Sequence, residues 1–334
     1  MTAQHLALYR KYRPETFEDV VGQENAVNIL TSAIKQKKIS HAYLFCGGRG
    51  TGKTTVARIF ARDIGCNPED IIEIDAASNR GIDEIRELRE AVRTSPFSSP
   101  YKIYIIDEAH MLTKEAANAL LKTLEEPPSH VIFILATTDP EKLPATIVSR
   151  CQKIVFSVPH LDTLAKRLID VAKREGRALD EEGAELLARH GKGSYRDALG
   201  ALEQVLSVNS KDVTHKEVAV LVGQPEHEML VSLLTALCKK DEEGITKLVE
   251  ALEKNTNALR VYDDFIEMVR SALLARISES KIADPQSLLL GKEYPLIINS
   301  KLVLSLLENR QYLCVSDAHA WIAFESVLLS LTTS

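Results

Sequence analysis

The chain has 334 residues, of which 45% are hydrophobic, 26% charged and only 5% aromatic, so a core of Leu, Ile, Val and Ala is expected in two or three domains. No apolar run approaches the ~18 residues of a membrane span, and the basic segment Met1–Glu15 lacks the apolar stretch of a signal peptide, so no membrane partner and a cytoplasmic location are expected. A formal net charge of −6 argues against a generally basic, nucleic-acid-coating protein, while leaving room for a local basic groove.

In the first half, short apolar runs alternate with helical periodicity. Strands are predicted over Ala42–Cys46, Ile71–Ala76, Lys102–Ile106, Val131–Ala136 and Ile154–Val158. Helices are predicted over Gln23–Lys37, Lys53–Ile64, Ile82–Arg93, Lys114–Glu125 and Ala145–Ser149. This alternation implies a parallel sheet covered on both faces. Pro159 ends the pattern, and helices follow over Asp162–Glu175, Asp180–His190, Tyr195–Ser207 and Lys216–Val222, with Asp162 and Asp180 as N-caps. After a break at Gly223-Gln224-Pro225 come helices over His227–Lys239, Glu242–Asn255, Ala258–Ile277, Ser300–Asn309 and Ala318–Leu331. The polar, Gly/Pro-punctuated stretch Ser278–Tyr294 reads as a connection. The resulting division is an α/β domain over 1–158, a small helical domain over 159–223 and an all-α domain over 225–334. The cysteines, at 46, 66, 151, 238 and 314, have no short metal-ligand spacing and are expected as buried or partly buried free thiols in a reducing compartment.

Gly47-Gly48-Arg49-Gly50-Thr51-Gly52-Lys53-Thr54 matches G-x-x-x-x-G-K-[ST], after a predicted strand and opening a predicted helix. Glycines let backbone N–H groups converge on an anion, and the helix adds its positive end. Lys53 is expected on the β- and γ-phosphates and Thr54 on Mg²⁺; Thr55 completes the nucleotide-binding set. The apolar strand Ile103–Ile106 ends in Asp107 and Glu108, whose side chains alternation sends to opposite faces. Asp107 fits a Mg²⁺ partner and Glu108 the residue that activates the attacking water. His110, in the same segment, reads as a core or solvent-facing residue rather than a catalytic one.

Longer stretches carry a family resemblance. Asp107–Leu112, Asn118–Pro128, Leu135–Pro140, Ser149-Arg150-Cys151, Tyr9–Pro14 and Val20–Gln23 resemble the gamma/tau clamp-loader family of bacterial DNA polymerase III, strongly over about 6–222 and more weakly over 225–334. The resemblance implies an α/β AAA+ domain of P-loop type, a small helical lid and an all-α collar-type domain of a pentameric ring. It implies that the segments Tyr12-Arg13-Pro14 and Val20–Gln23, Val21 included, line the adenine pocket. Thr138 resembles the sensor of the γ-phosphate or attacking water, and Arg196 the second sensor reaching from the lid. Arg150 resembles an arginine finger acting in trans on a neighbouring subunit's site; a surface salt bridge is its plain alternative. Arg80, Arg86 and Lys122 lie where the family tracks DNA phosphates, with solvated helix charge as the alternative. The implied partners are delta-type and delta-prime-type subunits, further copies of the chain, a sliding clamp and primed DNA; the implied cofactors are ATP and Mg²⁺.

Two departures stand out. The family's four-cysteine zinc module is represented by Cys66 alone, because Asn67-Pro68-Glu69-Asp70 runs straight into the next strand, so no zinc is expected. The 334 residues stop soon after the collar-like helices, before any long tail of the tau kind, and whether the natural chain continues into one is left open. The rival readings are another AAA+ DNA-remodelling ATPase of branch-migration type and a non-hydrolysing scaffold subunit of the same ring; the intact Lys53, Thr54, Asp107 and Glu108 weigh against the scaffold.

Overall fold

Continuous runs of Ile, Val, Phe and Tyr build the sheet. In the computed structural model, which describes residues 6–78, 88, 90–208, 212–222, 227–254, 256–277 and 285–333, these runs form β1 (Ala42–Gly47), β2 (Ile71–Asp75), β3 (Lys102–Asp107), β4 (Val131–Thr137) and β5 (Gln152–Phe156). The strands lie in the order β2-β3-β4-β1-β5, all neighbours parallel. The chain leaves β1 for the far edge, returns through β3 and β4, and then crosses over β1 to β5.

Alternation gives the sheet two dry faces. Tyr43, Phe45, Ile105 and Ile134 pack on one side with α2 (Glu24–Lys35) and α3 (Lys53–Asp63). Leu44, Tyr104, Ile106 and Phe133 pack on the other with α4 (Lys114–Glu125). Burial on both faces is why the inner strands β1, β3 and β4 read as unbroken apolar runs, whereas the edge strands β2 and β5 carry exposed polar residues such as Glu73 and Lys153. Each large apolar side chain so buried contributes about 1.5–3 kcal/mol. The short helix α1 (Leu8–Lys11) precedes the sheet in sequence, and α5 (Ala145–Val148) lies between β4 and β5.

Helices α6 (Leu161–Arg174), α7 (Glu181–His190), α8 (Tyr195–Val208) and α9 (His215–Val222) follow. Asp180 caps α7 as expected, accepting the Gly183 N–H at 2.8 Å. The chain divides into two units, Met1–Val218 and Ala219–Ser334. The second contains α10 (His227–Lys239), α11 (Glu242–Glu253), α12 (Ala258–Ile277), α13 (Pro285–Glu293), α14 (Ser300–Asn309) and α15 (Asp317–Thr333). Its core is aromatic and aliphatic: Tyr262, Phe265 and Phe324 are fully buried, and the Tyr262 hydroxyl donates to the Leu306 carbonyl at 2.8 Å. No described helix is long and apolar enough to cross a membrane.

The structure corrects several expectations. β5 begins and ends two residues earlier than Ile154–Val158, because Tyr43 pairs with Gln152 and Gly47 with Phe156. Its end is set by Gln23, which accepts the Ser157 N–H at 3.0 Å and donates to the Ser157 carbonyl at 2.8 Å. Asp162 is no N-cap: α6 opens one residue earlier behind His160, and Asp162 falls in the first turn, where its charge complements the helix dipole. The stretch Ser278–Tyr294 is not all connection, since Pro285–Glu293 is helical. Proline is tolerated at a first helical position, and Gly291 allows α13 close to α12, for a Cβ there would meet the Ala272 carbonyl. Cys314 is exposed rather than buried, unlike Cys46, Cys66 and Cys238. Of the helix expected over Ile82–Arg93, Leu88, Glu90 and Ala91 are helical and 82–87 lie outside the described residues, as does the break at Gly223-Gln224-Pro225.

Candidate nucleotide site

The C-terminal ends of β1 and β3 open into a cavity of about 1050 Å³ in the first unit. The β1–α3 loop forms its floor. Gly50 and Gly52 have φ of +70° and +102°, which only glycine adopts without strain. Gly47 lies so close to Phe156 of β5 that a side chain would collide with its carbonyl. The Thr51 hydroxyl donates to the Gly48 carbonyl at 2.9 Å, and Gln23 Nε2 donates to the Thr51 carbonyl at 3.2 Å. Lys53 opens α3, is 5% exposed, and donates from Nζ to the Gly47 and Gly48 carbonyls, both at 2.8 Å. Burial lowers the pKa of its ammonium, opposed by the nearby Glu108 and Asp107 carboxylates.

The acids arrive from β3. Asp107 Oδ2 accepts the Thr54 hydroxyl at 2.7 Å, and its Oδ1 accepts the Glu108 N–H at 3.0 Å. The two acids diverge through more than strand alternation. Glu108 takes a left-handed backbone, φ +48°, and starts a 3-10 turn over Ala109–Met111. Its carboxylate accepts the Thr138 hydroxyl at 3.3 Å from the end of β4. Thr54 and Asp107 offer hard oxygen donors side by side, a set that fits Mg²⁺.

The walls come from further along the chain. Arg49, Gly50, Thr51, Gly52, Lys53, Thr54 and Thr55 line the cavity, with Asp107 and Glu108. So do Tyr12, Arg13, Pro14, Val20, Val21 and Arg196. Arg13 Nε donates to Thr55 Oγ1 at 2.9 Å, and Arg196 lies over the Tyr9 ring at 5.6 Å. Gln23 does not line the cavity; its amide bonds the phosphate loop at Thr51 and both backbone groups of Ser157. Helices α6 and α8 add contacts that sequence reasoning missed. Arg167 Nη2 donates to the Tyr12 carbonyl at 2.9 Å. The Tyr195 hydroxyl donates to the Val21 carbonyl at 2.7 Å, and burial pushes its pKa up to about 12. Arg58 and Glu73 also line the cavity as an ion pair. Arg167, Arg58 and Tyr195 carry no signal of their own in the sequence, since each is one polar residue on an amphipathic helix.

Four candidates lie outside this cavity or outside the described residues. Arg150 does not line this cavity; its Nη2 pairs with Glu125 at 2.7 Å and its Nη1 donates to the Thr146 carbonyl at 2.8 Å. Lys122 is exposed on α4. Arg80 and Arg86 lie outside the described residues. Cys66 is a buried thiol that donates to the Tyr101 carbonyl at 3.1 Å, with a pKa pushed up to about 11 by burial.

A parallel sheet in the order β2-β3-β4-β1-β5, a phosphate loop after β1, paired acids after β3 and a following helical segment define an AAA+ P-loop fold. The RuvB Holliday junction branch migration motor of Thermotoga maritima shares this fold, with a TM-score of 0.54 over 68% of this chain and 79% of that one at 20% identity. The family model for the DNA polymerase III delta subunit matches residues 22–80 and 67–160. DNA polymerase III subunit gamma of Buchnera aphidicola is 36% identical over 284 residues, 79% of this chain and 78% of that protein. Subunit tau of Bacillus subtilis is 41% identical over 290 residues, 80% of this chain and 52% of its own length. The chain belongs to the DNA polymerase III gamma/tau family. It spans about half the length of the tau relatives it matches, 52% of the Bacillus subtilis protein and 41% of the Escherichia coli one.

Proposed function

We propose that this chain is an ATP-hydrolysing motor subunit of a bacterial clamp loader, using ATP binding and hydrolysis to open a sliding clamp and place it on primed DNA. The observation that carries the reading is the convergence of Lys53, Thr54, Asp107 and Glu108 at one cavity, within a chain of the gamma/tau family. The three-part division at 1–158, 159–223 and 225–334, as nucleotide-binding, lid and collar domains, belongs to the same reading.

Lys53 binds the β- and γ-phosphates of the substrate, and the loop N–H groups orient them. Thr54 and Asp107 would hold Mg²⁺, which supplies charge neutralisation on the β- and γ-phosphate oxygens. Glu108 takes a proton from the attacking water as its oxygen bonds to the γ-phosphorus; the bond to the bridging oxygen breaks, and ADP leaves with that electron pair. Thr138 holds Glu108, and Arg196 meets the phosphates from the lid side. Arg150, which does not line its own cavity, acts as the finger in a neighbouring copy's site. Lys122, with Arg80 and Arg86, grips DNA phosphates without sequence specificity. The partners are delta-type and delta-prime-type subunits, further copies of the chain, the clamp and primed DNA. The likeness to a branch-migration motor is one of fold alone.

ATP turnover by the purified chain, with and without partner subunits, clamp and primed DNA, tests this. Joint stimulation by clamp and primer junctions is expected, abolished by Glu108→Gln. Turnover driven by branched duplex and indifferent to clamp would sink the loader reading, and no turnover in any mixture would leave the scaffold.

A further inference from the structure

His110 lies on the 3-10 turn that Glu108 opens, and its side chain is only 9% exposed. The turn brings the ring back against the acid that starts it. Nδ1 is 3.0 Å from Thr137 Oγ1 and 3.4 Å from Glu108 Oε2. Nε2 is 4.0 Å from Asp139 Oδ2, and the Asp139 N–H donates to Thr137 Oγ1 at 3.0 Å. The Thr138 hydroxyl donates to the same Oε2 of Glu108 at 3.3 Å. One carboxylate oxygen is thus approached from two sides, while no described residue donates to Oε1.

A carboxylate that takes a proton from water works best with one oxygen anchored and the other open, because proton transfer demands a short, aligned contact. We propose that His110 is a positioning residue for Glu108: its ring anchors Oε2 to the end of β4 through Thr137 and so presents Oε1 to the attacking water. The inference rests on the reading of Glu108 as the base. A histidine that only filled space would gain nothing from facing two carboxylates and a hydroxyl that is itself fully buried.

The test measures turnover and nucleotide affinity of the full chain, assembled with its partner subunits, for His110→Ala, His110→Asn and His110→Gln beside Glu108→Gln. His110→Ala is expected to lower kcat about tenfold or more while nucleotide affinity stays within about twofold. His110→Asn, whose amide nitrogen falls near the position of Nδ1, restores most of kcat; His110→Gln, which reaches the position of Nε2, does not. A kcat for His110→Ala within about twofold of the parent, beside an inactive Glu108→Gln, overturns the positioning role alone. Equal behaviour of the Asn and Gln variants overturns it too, even if the Ala variant fails to fold. Full turnover in Glu108→Gln overturns the reading of the base itself, and the inference with it.

Discussion

The Tyr195 backbone N–H donates to the Gly50 carbonyl at 3.0 Å, so the first residue of α8 is bonded directly to the phosphate loop. Gly50 permits this approach, since a Cβ there would collide with Ser194. The Tyr195 side chain reaches on to Val21, a wall of the cavity. Loop, wall and helix are therefore one hydrogen-bonded assembly.

Tyr195→Phe removes the hydroxyl bond to Val21 and is expected to weaken nucleotide binding about two- to tenfold, the equivalent of a net hydrogen bond of about 0.5–1.5 kcal/mol. Gly50→Ala should do more, because its left-handed backbone and the Ser194 contact both oppose a side chain. Titration with a fluorescent ATP analogue measures both; unchanged affinity in Gly50→Ala would break the link between loop and helix.

Arg150→Ala is expected to keep nucleotide affinity but lower turnover in the assembled ring by about 10³–10⁵, the range of an arginine finger. Its ion pair with Glu125 is at the surface, so the cost in stability should not exceed about 1 kcal/mol. A stability loss with unchanged turnover would leave Arg150 as a salt-bridge residue only.

Asp70 supplies a pH-dependent contribution to stability. Burial raises its pKa, but the N–H groups of Phe97, at 2.6 Å, and Ser98, at 3.0 Å, outweigh this and hold it below the ordinary carboxylate value. A depressed folded-state pKa stabilises above the unfolded value of about 3.9 and loses that contribution as pH falls through the folded value. Asp70→Asn should therefore destabilise by about 1.5–3 kcal/mol at pH 7, with the difference shrinking as pH drops below the carboxylate range. Urea unfolding of both proteins at neutral and acid pH reads this directly, and a pH-independent difference would refute it.

Gly291→Ala places a methyl group against the Ala272 carbonyl, where α13 meets α12. Overpacking of this kind costs about 1–3 kcal/mol, so chemical denaturation should show an earlier transition for the second unit with ATP binding unaltered. A variant as stable as the parent would mean that α13 shifts at little cost.

The sheet, the phosphate loop and the two acids are legible in the local pattern of residues. Buried parallel strands need unbroken apolar runs, and a loop that cradles phosphate needs glycines at set spacing. Those constraints act between near neighbours, so local pattern records them. The tertiary structure alone decided where β5 stops, because Gln23 captures Ser157 from 134 residues away. It decided that His110 returns to Glu108, because the turn depends on a left-handed backbone at an acidic residue, which composition does not announce. It decided that Pro285–Glu293 forms a helix, since Pro285 falls at the first position, where proline is tolerated, and Gly291 packs against the Ala272 carbonyl. Arg167 and Tyr195 joined the cavity in the same way. Each sits on a helix whose periodicity reveals a buried face, but which polar residue meets Tyr12 or Val21 depends on how separate elements dock.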